Sequence, residues 1–118
     1  IPAVPTLAFK HVALNCGPPQ HTFLTTGTTH GSEQRGCHAM PDLRLYHAAA
    51  LGGLKAFLFP DVSDLRILSL IPSAAAHPES SLAQMVDWAF ERFGGTGSAV
   101  FATADRLDFA GFAEVLRI

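Results

Sequence analysis

Six histidines and two cysteines are the side chains of this sequence best suited to chemistry. His11, His21, His30, His38, His47 and His77 are spread along the chain, and four of them sit in or beside the stretch that holds Cys16 and Cys37. Cys16, His21, His30, Cys37 and His38 are therefore the candidate metal ligands. A structural zinc site draws four nitrogen or sulfur ligands, usually as close pairs divided by a longer span. The order found here has no such pairing, and the neighbours Cys37 and His38 are awkward joint ligands. Two free thiols in a reducing compartment fit the cysteines at least as well as a disulfide, which would contribute about 3 kcal/mol if formed.

Other catalytic arrangements are less complete. A nucleophilic cysteine needs a base beside its sulfur, and adjacency in sequence does not bring the His38 ring to Cys37. No Gly-x-Ser-x-Gly elbow is present. The glycine-rich run Gly94-Gly95-Thr96-Gly97 leads from a helix pattern into a strand pattern, whereas phosphate loops run from strand into helix. Asp61 with Asp64, and Asp105 with Asp108, read as turn residues rather than as acid–base pairs.

Composition narrows the partners. The chain has 118 residues, of which 48% are apolar, and nine are phenylalanine, so one globular domain with a core is expected. The formal charge is −2, and the basic residues occur singly. No basic footprint for phosphates is visible, and no nucleic-acid partner is expected. No apolar run reaches the ~20 residues that span a bilayer, so no membrane partner is expected either. The start Ile1-Pro2-Ala3-Val4-Pro5 lacks both an initiator methionine and a signal-peptide pattern. A processed or truncated, cytoplasmic chain is the expectation.

The elements that must position these residues divide near residue 42. Residues 15–42 are polar and turn-rich, with one β-favouring piece at 22–26 and room for a second strand. Strands are expected at 7–14, 43–51, 54–59, 65–71, 98–103 and 112–118. Gly52-Gly53 is the hairpin signal between the second and third, and 105–111 reads as a turn or a single helical turn. One main helix is expected at about 78–93. Leu82, Met85, Val86, Ala89, Phe90 and Phe93 recur on one face, Ser81 and Gln84 fit a capping box, Pro78 fits the first turn, and Gly94-Gly95 stops the helix. The class is α+β, a mostly antiparallel mixed sheet with this helix packed on it.

From residue 43 onward this order resembles the GNAT family of N-acetyltransferases. Ala110-Gly111-Phe112-Ala113-Glu114-Val115 looks like that family's late Gly-Phe segment, and Ala89-Phe90-Glu91 like the end of its central helix. The resemblance implies an acetyl-CoA cofactor held at Ala75, Ala76, His77 and Ser80, before the helix. The motif is degenerate. Pro78 removes an N–H donor, Glu79 puts a negative charge where the diphosphate would lie, and Phe109 stands where the family often has a catalytic tyrosine. A second likeness, of residues 9–15 to the opening strand of the vicinal-oxygen-chelate family, would make His11 a metal ligand.

The expectation is thus a non-catalytic binding or assembly module, with Trp88, Phe101 and Phe109 as exposed contact residues and a protein partner or a second copy as occupant. The alternatives are a degenerate GNAT-like acyltransferase, and metal or small-ligand binding through the His/Cys segment at 16–47.

Overall fold

A computed structural model describes residues 3–26 and 35–117. The chain forms two compact units, Ile1–Leu45 and Tyr46–Ile118, and the boundary falls close to the composition break. The α+β class is what forms. Within it, the elements build two small two-stranded sheets rather than one mixed sheet.

In the first unit, residues 7–14 are not a strand. Pro5, with its φ fixed at −60°, starts a 3-10 turn over Thr6–Lys10. The turn is closed by bonds from Ala8 N to Pro5 O (2.9 Å) and from His11 N to Ala8 O (3.0 Å). The expected piece at 22–26 is strand β1, His21–Leu24. It pairs antiparallel with β2, Cys37–Met40, in the register His21↔Met40, Thr22↔Ala39, Phe23↔His38 and Leu24↔Cys37. Bonds from Gln20 N to Met40 O and from Thr25 N to Gly36 O extend the ladder at both ends. Phe23 is buried, at 4% exposure.

The largest departure lies between residues 43 and 59. The expected strands at 43–51 and 54–59, and the Gly52-Gly53 hairpin, are replaced by helix. Helix α1 spans Arg44–Gly53 and continues as a π-helical turn over Leu54–Leu58, closed by Phe59 N to Leu54 O at 2.9 Å. No Val, Ile or Thr occurs in 43–59, and alanine and leucine dominate. Strong helix formers there outweigh the roughly 1 kcal/mol that each glycine costs. Gly53 has φ −64° and ψ −47°, ordinary right-handed helix, not the positive φ of a hairpin turn.

The second unit then runs β3 (Leu68–Ser69), α2 (Ser81–Phe93), β4 (Ala99–Val100) and α3 (Phe109–Leu116). β3 and β4 are parallel, with α2 as the crossover that parallel neighbours require. Pairing extends beyond the two strands through Leu65 N to Phe93 O, Gly95 N to Leu65 O and Phe101 N to Ser69 O, all at 2.7 to 2.8 Å. Ser98 Oγ ties them further, accepting from Ile67 N and donating to Leu65 O.

α2 starts three residues later than expected. Its cap is Ser80, whose side chain accepts from Ala83 N at 3.1 Å, and Ser81 is the first helical residue. The inward face carries Ala83, Ala89 and Phe93, while Leu82 is 47% exposed. Phe59 meets Phe93 edge-on at 5.4 Å. The expected closing strand at 112–118 is instead α3, capped by Asp108, which accepts from Gly111 N at 3.0 Å. No helix among the described residues is long and apolar enough to cross a membrane.

Candidate functional site

The β1–β2 hairpin decides what the candidate metal ligands can do. Side chains alternate across a strand, and directly paired residues share a face. His21, Phe23, His38 and Met40 therefore lie on one face, and Thr22, Leu24, Cys37 and Ala39 on the other. Cys37 is thus separated from both histidines by the backbone itself. His21 packs against Phe23 at 4.5 Å between ring centroids, and His38 stacks on Phe9 at 4.3 Å. Both cysteines are exposed free thiols. His30 lies outside the described residues. Among the described residues, no three His, Cys, Asp or Glu side chains gather to hold a metal ion.

The segment before α2 carries Ala75, Ala76, His77 and Ser80. Three of its backbone donors are held in its own turns: Ala76 N and His77 N bond to Ser73 O, and Ser80 N bonds to His77 O. The first turn of α2 is occupied by Ser80, through Oγ to Ala83 N and through its carbonyl to Gln84 N. Asp87 Oδ2 accepts from Ala74 N at 2.8 Å, which adds a carboxylate beside the loop. His77 Nε2 donates to Ala104 O at 2.9 Å.

Hollows lined by the described residues of the first unit include two of small-molecule size. One, of about 630 Å³, is lined by Cys16, Met40, Pro41, Asp42, Arg44 and Leu45. Its charges cancel. Arg44 Nε donates to Asp42 Oδ2 at 2.6 Å, and Arg44 N donates to Asp42 Oδ1 at 2.8 Å. The guanidinium hydrogen bond holds the Asp42 carboxyl below its ordinary range and raises Arg44 in turn.

The other hollow, of about 480 Å³, lies between the 3-10 turn and the Leu24–Cys37 end of the hairpin. Thr6, Leu7, Phe9 and Lys10 line it from the turn, and Thr25, Gly36 and His38 from the hairpin. Thr25 is fixed from several sides: Arg35 Nε donates to its carbonyl at 2.6 Å, and its Oγ1 accepts from Gly36 N at 2.8 Å. A Cβ at Gly36 would stand 3.0 Å from Thr25 Cγ2, a contact that the threonine would have to relieve by a few tenths of an ångström. This cleft was not foreseen from the residue spacing, although one half of its signal is in the sequence: no acidic residue precedes Glu33, so Lys10 faces no nearby carboxylate along the chain.

In the second unit the sole tryptophan is half-buried rather than exposed. Trp88 of α2 meets Tyr46 and His47 of α1 edge-on at 5.2 and 4.9 Å, and Tyr46 Oη donates to Ser81 O at 2.8 Å. Burial pushes the Tyr46 phenol above its ordinary value. Phe101 is likewise taken up, edge-on to Phe112 at 5.4 Å. Of the three expected contact residues, only Phe109 is exposed, at 68%, and it is joined by Phe57 of the π-helical turn at 85%.

No family model, no curated protein and no solved structure matches this chain.

Proposed function

We propose that the chain is a non-catalytic binding or assembly module whose second unit docks a protein partner or a second copy. The carrying observation is an inversion of burial in that unit. Its buried apolar side chains are Ala83, Ala89 and Phe93, while Phe57 and Leu58 are 85% and 66% exposed and Phe109 and Leu116 are 68% and 53% exposed. Phe109, Ala113 and Leu116 fall on one stripe of α3 at i, i+4 and i+7, and Ala113 is exposed with them. Exposed aromatic and aliphatic side chains grouped in this way are the usual mark of an interaction surface.

The test is sedimentation velocity of the chain alone over about a hundredfold range of concentration, followed by capture of partners on immobilised protein. Self-association, or a captured partner, lost in both cases on Phe57→Ser and Phe109→Ser, supports the reading. A strict monomer that captures nothing removes it.

One observation supports a second reading, a degenerate GNAT-like acyltransferase. In the parallel β3–α2–β4 unit the chain runs from a strand through a loop into the start of α2, and helix starts attract the phosphates of nucleotide cofactors. The commitment of the Ala74, Ala76, His77, Ser80 and Ala83 N–H groups opposes it. Titration with acetyl-CoA decides: no thermal shift at millimolar ligand ends this version.

A further inference from the structure

We propose that the cleft between the 3-10 turn and the β1–β2 hairpin binds a small aromatic carboxylate, with its charge on Lys10 and its ring against Leu7, Phe9 and His38. Its volume of about 480 Å³ lies within the roughly 300–1,000 Å³ of small-molecule sites. Its lining combines two chemistries. The stacked Phe9–His38 pair, 29° from parallel, and Leu7 supply apolar surface. Lys10 supplies a cation with no acidic partner among the described residues. The one described acid of this unit, Asp42, is already held by Arg44. Thr25 adds a hydroxyl whose oxygen already accepts from Gly36 N, so its proton is available to donate. An inorganic anion would leave Leu7 and Phe9 uncovered. A neutral arene would leave Lys10 unused. An aromatic carboxylate satisfies both, through a charge-assisted hydrogen bond and ring contact.

This site belongs to the first unit and does not depend on the docking surface of the second. The experiment is calorimetric and NMR titration of the full chain with benzoate, alongside benzyl alcohol and inorganic phosphate. Benzoate is expected to bind with Kd on the order of 1 mM, shifting amide signals of the 3-10 turn and of Thr25, Gly36 and His38. Lys10→Met is expected to weaken it about tenfold while leaving the circular dichroism unchanged. A second variant, Leu7→Ser, removes apolar wall and is expected to weaken benzoate while leaving phosphate unaffected. The proposal is overturned if benzoate fails to bind, if Lys10→Met binds it equally, or if benzyl alcohol or phosphate binds as tightly. The sedimentation result stands or falls separately.

Discussion

Tyr46 is the residue whose environment makes the clearest pH statement. Burial raises its phenol above the ordinary value of 10.0, and its hydrogen bond to Ser81 O exists only while the proton is present. A raised folded-state value means that the unfolded chain loses this proton first. The stabilisation is therefore complete below about pH 10 and is lost as pH rises through the folded value. Tyr46 is the only tyrosine, so phenolate absorbance reports it alone: a native midpoint above 10.0 is expected, and one at or below the unfolded chain's would contradict the packing. Tyr46→Phe should abolish the signal and flatten the alkaline fall in stability. The caps make a second residue-scale prediction. Ser80→Ala removes the oxygen that satisfies Ala83 N and should cost about 1 kcal/mol in urea unfolding, whereas Ser80→Asp should retain most of it. The candidate site is half legible at this scale. The acid-free run before Glu33 singles out Lys10. The stacking of Phe9 on His38 depends on a turn and a register that residue spacing does not specify, and so His38 reads in the sequence as a metal ligand.

At the scale of elements, α2 is legible because apolar spacing, cap and stop agree, and the helix ends at Phe93 as expected. The error at 43–59 comes from weighting one dipeptide over its surroundings. Gly52-Gly53 permits a hairpin, but seventeen residues without a β-branched side chain favour a helix. The sign of a substitution separates the two. In the helix, a Cβ at Gly52 or Gly53 meets nothing within 4 Å, so Gly52→Ala and Gly53→Ala should each stabilise by about 0.5–1 kcal/mol and raise the helical circular dichroism. In a hairpin with positive φ the same changes would destabilise. Gly97 is the control, since its φ of +82° makes Gly97→Ala unfavourable by about 1–2 kcal/mol. α3 was also legible: Asp108 stands as a cap before Phe109, Phe112, Ala113 and Leu116 at i, i+3, i+4 and i+7. The Gly-Phe likeness drew that segment toward a strand. The parallel pairing of β3 and β4 follows from the helix between them.

Over the whole chain, charge and apolar exposure act together. Residues 1–45 carry three basic and two acidic side chains, and residues 46–118 carry five and eight. The chain as a whole has a formal charge of only −2 and a pI near 6.3. Net charge is the main long-range repulsion that keeps copies apart, and it vanishes near the pI. The exposed Phe57 and Phe109 are on the acidic unit, where acidification lowers the net negative charge and with it the repulsion between copies. Static light scattering at constant ionic strength should therefore peak near pH 6.3 and fall by about pH 8.5 as charge returns. Phe57→Ser with Phe109→Ser leaves every titratable group in place. If apolar contact drives the association, this double variant should scatter as a monomer across the whole range. If it keeps the wild-type peak, the association is electrostatic and the two phenylalanines are not its contact surface.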